Sequence, residues 1–155
     1  MRRKDRGITN KDDIITIIKK CKVLHLAVNT DDGLYIVPVN FGFSIENEKF
    51  IFYIHSAKQG KKINAIKKYP NVCVEADCSH KLVTGRCACE YSYMYESFIA
   101  QGTGEIVDSH TEKAKALQTI MKHQTGKDFE FGKTQTDTVS IIKITVNSIT
   151  AKAYV

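Results

Sequence analysis

The stretch that decides the fold is residues 23–43, VLHLAVNTDDGLYIVPVNFGF. Its first part alternates apolar and polar positions, and a second apolar run begins directly after Asp31-Asp32-Gly33. An Asp-Gly pair between two alternating apolar runs is typical of a β-hairpin. The pattern therefore predicts two antiparallel strands joined by a tight turn.

Pro38 lies inside the second apolar run. Proline removes a backbone donor, so within sheets it is confined to edges, bulges or the first residue of a strand. Two interpretations follow from this position. Either the partly unpaired backbone around Pro38 faces a ligand, or it forms the rim of a barrel.

Apolar periodicity outward from the hairpin predicts further strands and three helices. The strands are expected at residues 49–55, 71–77, 91–108 with a possible bend at Gly102–Gly104, and from Val139 onward. The helices are expected at residues 11–21, 57–69 and 111–122. Thr9-Asn10 offers N-cap residues for the first helix, and Ser56 is the expected N-cap of the second, with Gln59 as its capping-box partner. Short helices among such strands predict a single domain, residues 1–155, that is mainly β with flanking helices in an antiparallel barrel or sheet.

The charge balance is basic, with 23 Lys and Arg against 17 Asp and Glu and a formal net charge of +6. Such a balance suits nucleic acid, phosphorylated ligands or acidic surfaces. The sequence contains no nucleic-acid-reading motif, so a nucleic-acid partner is not expected. Without a signal-peptide pattern or a membrane-length apolar run, and with five cysteines, the chain is expected to be cytoplasmic, with reduced thiols and no membrane partner.

The grouping Cys78-x-His80…Cys87-x-Cys89 contains residue types that bind metals. Zinc sites usually pair their ligands as C-x2-C or with a similar spacing, which C-x-C does not match. Ordinary thiols in a strand and a loop are therefore favoured, and no metal site is predicted.

Residues 51–70, IFYIHSAKQGKKINAIKKYP, place five lysines and no acidic residue after a predicted strand. The start of a helix offers free backbone N–H groups and the positive end of its dipole. The side chains and backbone that could complete an anion site there are Ser56, Lys58, Gly60, Lys61 and Lys62. This set suits a phosphate monoester, and the alternative is a solvated lysine-rich helix capped by an ordinary serine.

The sequence contains no motif for chemistry carried by side chains alone, such as G-x-S-x-G, H-E-x-x-H or a Walker loop. Gly102-Thr103-Gly104 lacks the third glycine of a dinucleotide site. Any chemistry is therefore expected from a bound cofactor. His55 could then be a proton donor or stacking partner at a ligand's edge, or a histidine satisfied by a local hydrogen bond.

Five blocks of the sequence resemble a known family. Residues 1–9 (MRRKDRGIT), 33–42 (GLYIVPVNFG) and 52–62 (FYIHSA-x-x-GKK) resemble the pyridoxamine 5'-phosphate oxidase-like flavoproteins. Tyr95-Glu96-Ser97-Phe98-x-x-x-Gly102 and the terminal IIKITVNSITAK are similar to the nitroimidazole-resistance (Nim-type) branch of that family. The resemblance covers nearly the whole chain.

The resemblance implies an FMN-binding split β-barrel, a homodimer with FMN at its interface. The residues that it assigns to the cofactor are the main chain of Val37, Pro38, Val39 and Asn40 at the flavin ring, His55, Ser56 and Ala57 along the ring and ribityl chain, Lys61 and Lys62 at the phosphate, and Ser97 from the same or the partner subunit. The missing donor of Pro38 would then leave room for the flavin edge where a neighbouring strand would otherwise lie.

The resemblance also implies an oxidoreductase in which reduced FMN passes electrons to a small acceptor such as a nitroaromatic (5-nitroimidazole-type) compound, with His55 steering the substrate or supplying a proton. The alternative is a non-catalytic flavin or haem binding or sensor protein. The arginine- and histidine-bearing C-terminal segment of true pyridoxamine phosphate oxidases is missing, so that activity is not expected. Thr150-Ala151-Lys152 stands where Nim-type proteins commonly have a central glycine, which is expected to affect a turn.

Overall fold

An antiparallel sheet of eight strands, with helices beside it, accounts for most of the chain in this computed structural model. The structure describes residues 3–155, Lys4 without its side chain, and Met1 and Arg2 of the first resembling block lie outside the described residues. The strands are β1 (Gly7–Ile8), β2 (Val23–Thr30), β3 (Gly33–Asn40), β4 (Gly42–Glu46), β5 (Lys49–Ser56), β6 (Asn71–Val83), β7 (Ser92–Val107) and β8 (Ser140–Tyr154). The helices are α1 (Lys11–Lys20), α2 (Lys61–Lys68), α3 (His110–Thr125) and α4 (Lys133–Asp137).

The predicted hairpin is confirmed, because β2 and β3 pair with Thr30 opposite Gly33. The strand order is β3-β2-β6-β7-β8-β5-β4, with β1 beside β8. The two end strands of this order, β3 and β4, are consecutive in sequence and joined only by the fully buried Phe41. The sheet therefore curls back on itself, and within residues 3–155 its two edges meet without hydrogen-bonded pairing.

Two hydrophobic clusters fill the space inside and beside this curled sheet. The interior cluster takes Phe52 and Ile54 from β5 and is covered by apolar residues of α1 and α2. The second cluster takes Ile51 and Tyr53 from the opposite face of β5 and packs them against α3. Strand β5 is thus buried on both faces, which explains why its sequence, KFIFYIHS, is a nearly continuous apolar run.

The end of β5 differs from the prediction for residues 56–69. Ser56 is the last residue of β5, where it lies opposite Ser140 of β8, and α2 begins only at Lys61 with Gly60 as its N-cap. Gly60 makes no side-chain capping hydrogen bond. The predicted capping box of Ser56 and Gln59 is therefore wrong, because pairing with β8 holds Ser56 in the sheet.

Other predicted boundaries hold with smaller differences. Asn10 caps α1 by accepting hydrogen bonds from the backbone of the first turn, as expected. The apolar run 34–43 is divided between β3 and β4 at Phe41, and β6 extends to Val83 beyond the predicted residue 77. Strand β7 is continuous, with a register shift at Gln101/Gly102 where a bend was expected. Strand β1 and helix α4 were not predicted.

Glu96 on β7 forms a part-buried ion pair with Lys20 at the end of α1. Its carboxylate, 11% exposed, accepts hydrogen bonds from Lys20 Nζ at 2.7 and 2.9 Å and from the Ser79 hydroxyl. Burial raises the pKa of Glu96, but the hydrogen bonds from Lys20 and Ser79 together outweigh it, so the net shift of the pKa is downward. The charged carboxylate therefore stabilises the folded state.

The variant Glu96→Gln is expected to lower the free energy of unfolding by about 1.5–3 kcal/mol near neutral pH, the value of hydrogen bonds to a charged group. Because the folded-state pKa is depressed, this contribution is present above the ordinary value of 4.5 and is lost as the pH falls through the folded pKa. Urea unfolding at several pH values tests this. The difference between the variant and the unsubstituted protein should shrink as the pH falls below 4.5, the ordinary pKa of the carboxyl group, and a constant difference would contradict the assignment.

Candidate functional site

Strand β3 is an edge strand of the curled sheet, and it carries the first predicted site segment. Val37 and Val39 are half-buried and pack against the interior cluster, whereas Pro38 and Asn40 point outward and are exposed. Pro38 lies opposite His25 of β2 and has no strand on its other side within residues 3–155. The prediction that Pro38 lies at an edge is thus confirmed, and the edge leaves backbone groups free for a ligand.

The second predicted segment begins where β5 ends. His55 is exposed, and the structure shows no hydrogen bond to its ring from the described residues. Ser56, the next residue, points to the opposite face and is buried, and its hydroxyl oxygen has no hydrogen-bond partner within residues 3–155. A buried hydroxyl without a partner costs about 1–3 kcal/mol, so this position is suited to a polar atom supplied by a ligand.

The N-terminus of α2 follows Ser56 after the exposed loop 57–60. Gly60 has φ of +138°, a conformation that side chains rarely adopt, and it leads directly into the helix. The first helical hydrogen bond runs from the backbone N–H of Asn64 to the carbonyl of Gly60, so the N–H groups before Asn64 lack helical partners. The first turn contains no acidic residue.

The β2–β3 turn supplies acidic groups opposite the lysines of α2. Lys61 Nζ lies 3.4 Å from an Asp32 carboxylate oxygen and 5.3 Å from the centre of the Tyr35 ring. Lys68 Nζ lies 2.6 Å from Asp31, and this contact lowers the pKa of Asp31. Lys62 has no ion pair within residues 3–155, so it is the lysine of this turn whose charge is least compensated.

A cavity of about 350 Å³ lies between the β2–β3 turn and α2. Its lining includes Asp32, Lys61, Asn64 and Tyr69. A separate groove of about 640 Å³ lies between α1, β4 and α3 and includes none of the predicted site residues in its lining. The cavity at α2 is therefore lined by Lys61, one of the two lysines predicted to bind the phosphate.

The parts at the end of β5 fit a phosphorylated cofactor. An unpartnered buried hydroxyl, a helix N-terminus without a side-chain cap or acidic residues, and the lysines 61 and 62 all lie within residues 56–64 of the sequence. The free edge of β3 contacts β5 without hydrogen-bonded pairing and could border a flat ring. Val37–Asn40, His55–Ala57, Lys61 and Lys62 thus lie on β3, at the end of β5 and at the start of α2. Strand β3 contacts β5, and Lys61 Nζ lies 5.3 Å from the centre of the Tyr35 ring on β3.

Ser97 does not join this region within a single chain. Ser97 lies on β7 opposite Lys152. Its side chain and that of Ile99, two residues further along, lie on the same outer face of the sheet. In the strand register, Ile99 lies opposite Glu75, Glu75 lies opposite His25, and His25 lies opposite Pro38. Three strand spacings separate β7 from β3, about 14 Å, so Ser97 lies on the same outer face without touching β3.

The cysteine and histidine residues considered as metal ligands are not brought together. His80 Nε2 lies 2.8 Å from Asp77, and Cys78 lies next to the buried Cys21, whose pKa is raised by burial. Cys87 and Cys89 form a separate pair on an exposed loop. Within residues 3–155 no group of three or more His, Cys, Asp or Glu residues is placed to hold a metal ion.

Two features of the site were missed at the sequence level. The Asp31-Asp32 pair was interpreted only as a turn, although it also faces the lysines of α2. The outward residues Leu34 and Ile36 of β3 are 80% and 64% exposed, and they form an apolar outer face that only the strand register makes visible. The uninterrupted apolar run 34–37 (LYIV), which puts apolar side chains on both faces of a strand, was the available signal for that face.

Comparison with known proteins identifies relatives of the whole chain. The family model described as pyridoxamine 5'-phosphate oxidase matches residues 10–153. A Bacteroides thetaiotaomicron crystal structure, described as a "putative 5-nitroimidazole antibiotic resistance protein", is 31% identical with a TM-score of 0.82, covering 95% of this chain and 86% of that one. No curated protein matches the sequence.

Two further solved structures share the fold at low sequence identity. The flavocytochrome Anf3 of Azotobacter vinelandii is 14% identical with a TM-score of 0.81, covering 100% of this chain and 72% of that chain. An FAD and heme binding protein of Mycobacterium smegmatis is 15% identical with a TM-score of 0.79, covering 96% and 73%. Together with the curled sheet, these likenesses confirm the predicted split barrel.

None of the helices found within residues 3–155 has the length and apolar character needed to cross a membrane. The family model and the 31%-identical structure both match this chain over nearly its whole length. The chain therefore belongs to the pyridoxamine 5'-phosphate oxidase family and has its flavin-binding split-barrel fold, with similarity to the nitroimidazole-resistance branch.

Proposed function

We propose that this protein binds FMN along the free edge of β3 and uses it to pass electrons to a small acceptor such as a 5-nitroimidazole. The observation that carries the proposal is the unpartnered, buried hydroxyl of Ser56, placed directly before the uncapped N-terminus of α2. The 31%-identical relative, described as a putative 5-nitroimidazole antibiotic resistance protein, supports the choice of acceptor.

Each part of the region has a role in this proposal. Lys61, Lys62 and the free N–H groups of α2 hold the phosphate, and Ser56 and Ala57 lie along the ribityl chain. The main chain of Val37–Asn40 borders the ring, where the edge position of Pro38 leaves no competing strand. Because FMN carries its phosphate at the end of the ribityl chain, the order of these segments matches the order of the groups in the cofactor.

The chemistry of electron transfer would be supplied by FMN when it is bound, since no side-chain constellation among residues 3–155 offers it. The protein binds and orients the cofactor and the acceptor. The half-buried Val37 and Val39 exclude water from one side of the site. We assign His55 the position at the acceptor, where its exposed imidazole can steer the substrate or donate a proton. In this assignment His55 is the candidate catalytic residue.

Titration of FMN with purified protein tests the proposal. Binding should quench flavin fluorescence and give a yellow protein, and the FMN-loaded protein should consume a 5-nitroimidazole in the presence of a nicotinamide electron donor. If neither quenching nor colour appears, the binding proposal fails. If FMN binds and no electrons pass from any nicotinamide donor to the acceptor, the enzyme proposal fails and the binding proposal stands.

We also propose that two copies of the chain form a dimer through the outer face of β3, β2, β6 and β7. This face exposes Leu34, Ile36 and Ile99 next to Pro38, so it presents an apolar surface without a covering element among the described residues. Surfaces of this kind are typical of protein interfaces. Pairing of two such faces would also bring Ser97 of one copy towards the β3 edge of the other.

The variant Ile36→Lys is expected to weaken the dimer, because it places a charge in the centre of the apolar face. Light scattering of the unsubstituted protein should give about twice the mass of the chain, whereas the variant should give a mass close to one chain at micromolar concentration. Lys49→Ala, at an exposed position on β5 away from this face, is the matched control. A dimer that survives Ile36→Lys would exclude this face as the interface.

A second candidate function is non-catalytic binding of flavin or haem in the same barrel. Its support is that two proteins of this fold are described as a flavocytochrome and as an FAD and heme binding protein. The absorbance spectrum of the protein as purified separates the candidates, because haem and flavin absorb differently. A haem spectrum would favour this second function over the reductase.

A further inference from the structure

The loop between β6 and β7 holds two exposed thiols close together. The Sγ atoms of Cys87 and Cys89 are 3.9 Å apart, and both residues are exposed. The loop is tied by a hydrogen bond from the Arg86 backbone N–H to the Glu90 carboxylate at 2.7 Å and by another from the Glu90 N–H to the Cys87 carbonyl at 3.0 Å. The short helical turn Ala88–Glu90 lies between these contacts. The two thiols are therefore presented by an ordered turn.

The distance between the two sulfur atoms matches the sulfur–sulfur distance found when two thiolates bind one metal ion. With metal–sulfur distances of about 2.3 Å, sulfur atoms 3.9 Å apart subtend an angle of about 115° at the metal. This value lies between tetrahedral and trigonal geometry. A linear two-thiolate ion would need a separation of about 4.6 Å, and a disulfide needs about 2.05 Å. The observed spacing thus favours chelation without rearrangement of the loop.

We propose that Cys87 and Cys89 form a bidentate site for a soft, thiophilic metal ion of tetrahedral or trigonal preference, such as Cd²⁺, Zn²⁺ or Cu⁺. Binding deprotonates each thiol, forms two metal–sulfur bonds and releases two protons, with no change of oxidation state. Since no third protein ligand lies nearby within residues 3–155, the remaining coordination positions belong to solvent or to another molecule. Such an open site exchanges its metal readily, unlike a closed four-ligand structural site.

The other cysteines differ from this pair in burial. Cys21 is fully buried beside Cys78, and burial raises the pKa of Cys21, which opposes the thiolate that a metal requires. Cys73 is a single half-buried thiol on β6 whose pKa is also raised by burial. Metal binding is therefore expected at Cys87 and Cys89 and not at the remaining thiols.

Titration of the reduced, metal-free protein with Cd²⁺ tests this proposal through the ultraviolet sulfur-to-cadmium charge-transfer band. The expected result is one Cd²⁺ per chain, with affinity about 100-fold weaker in Cys87→Ser and in Cys89→Ser, because each variant loses the chelate. Cys73→Ser is the matched control and should bind as the unsubstituted protein does. All three variants should keep their affinity for FMN, so this test is independent of the cofactor proposal.

The proposal is overturned if the unsubstituted protein shows no charge-transfer band at micromolar Cd²⁺. It is also overturned if Cys87→Ser and Cys89→Ser retain the affinity of the unsubstituted protein, since the metal would then lie on other thiols. A loss of affinity in Cys73→Ser equal to that in Cys87→Ser would contradict the assignment in the same way.

Discussion

The double variant Lys61→Ala/Lys62→Ala is expected to bind FMN about 100-fold more weakly while its affinity for riboflavin changes by less than about threefold. Riboflavin lacks the phosphate, so it cannot use contacts that exist only at the start of α2. A charge-assisted contact contributes about 1.5–3 kcal/mol. The lower end applies here because Lys61 already shares its charge with Asp32 at 3.4 Å.

The comparison between the two ligands makes this prediction specific. Equal losses for FMN and riboflavin would show that the lysines act on the fold or on the ring, and not on the phosphate. Lys67→Ala is the matched control, because Lys67 is exposed on the last turn of the same helix. Its FMN affinity should equal that of the unsubstituted protein. Fluorescence quenching with both ligands measures the affinities of the unsubstituted protein and of both variants under one set of conditions.

The variant Gly42→Ala is expected to cause a large loss of stability. A Cβ atom at Gly42 would lie 2.5 Å from the backbone nitrogen of Ile120 and 2.6 Å from its Cα atom. These are main-chain atoms inside α3, so they cannot move aside without shifting the helix. We expect the free energy of unfolding to fall by about 3 kcal/mol, the upper part of the range for overpacked sites. The melting temperature should then fall by about 6–12 °C.

The contacts made by the end of α3 explain why a shift would be costly. The Gln124 side-chain amide donates to the carbonyl of Phe41 at 2.9 Å, and His123 hydrogen-bonds the carbonyl of Cys21 at 2.8 Å. The His123 ring also lies 4.6 Å from the ring of Phe41. Displacement of α3 would therefore weaken the contacts of Gln124 and His123 with Phe41, the residue that joins the two edge strands β3 and β4.

Gly132→Ala is the control for this prediction, because a Cβ atom there would meet only the flexible side-chain oxygen of Gln135 at 3.2 Å. Its melting temperature should stay within about 2 °C of the unsubstituted protein, as expected for a surface substitution. Equal melting temperatures for the Gly42 and Gly132 variants would show that α3 adapts to the added methyl group.

The features predicted from sequence are those that depend on nearby residues. The Asp-Gly turn, the Asn10 cap and the alternation of β2 each depend on a few consecutive positions, and each is confirmed. The split barrel itself was expected from the resemblance of several blocks and not from periodicity alone. Periodicity left open whether the strands form a barrel or a sheet.

The errors come from contacts between residues far apart in sequence. Serine is a residue type typical of helix N-caps. The backbone of Ser56 nevertheless pairs with Ser140, which no local pattern reveals. In the same way, the ion pair between Asp32 and Lys61 depends on the packing of α2 against the hairpin. The candidate site residues that the sequence predicts lie mostly in two contiguous stretches, Val37–Asn40 and His55–Lys62. The position of Ser97 relative to β3 required the register of four strands.

The double burial of β5 has a consequence for how the chain folds during synthesis. Ile51 lies opposite Thr145, so the partner that β5 needs on one side is the last strand in the order of elements. Until β8 leaves the ribosome, the apolar run of β5 remains without that partner, and exposed strands of this kind promote aggregation. Late closure of a long-range pair also slows folding. Chaperone dependence in cells would thus originate in the order of the strands and not in the final stability of the barrel.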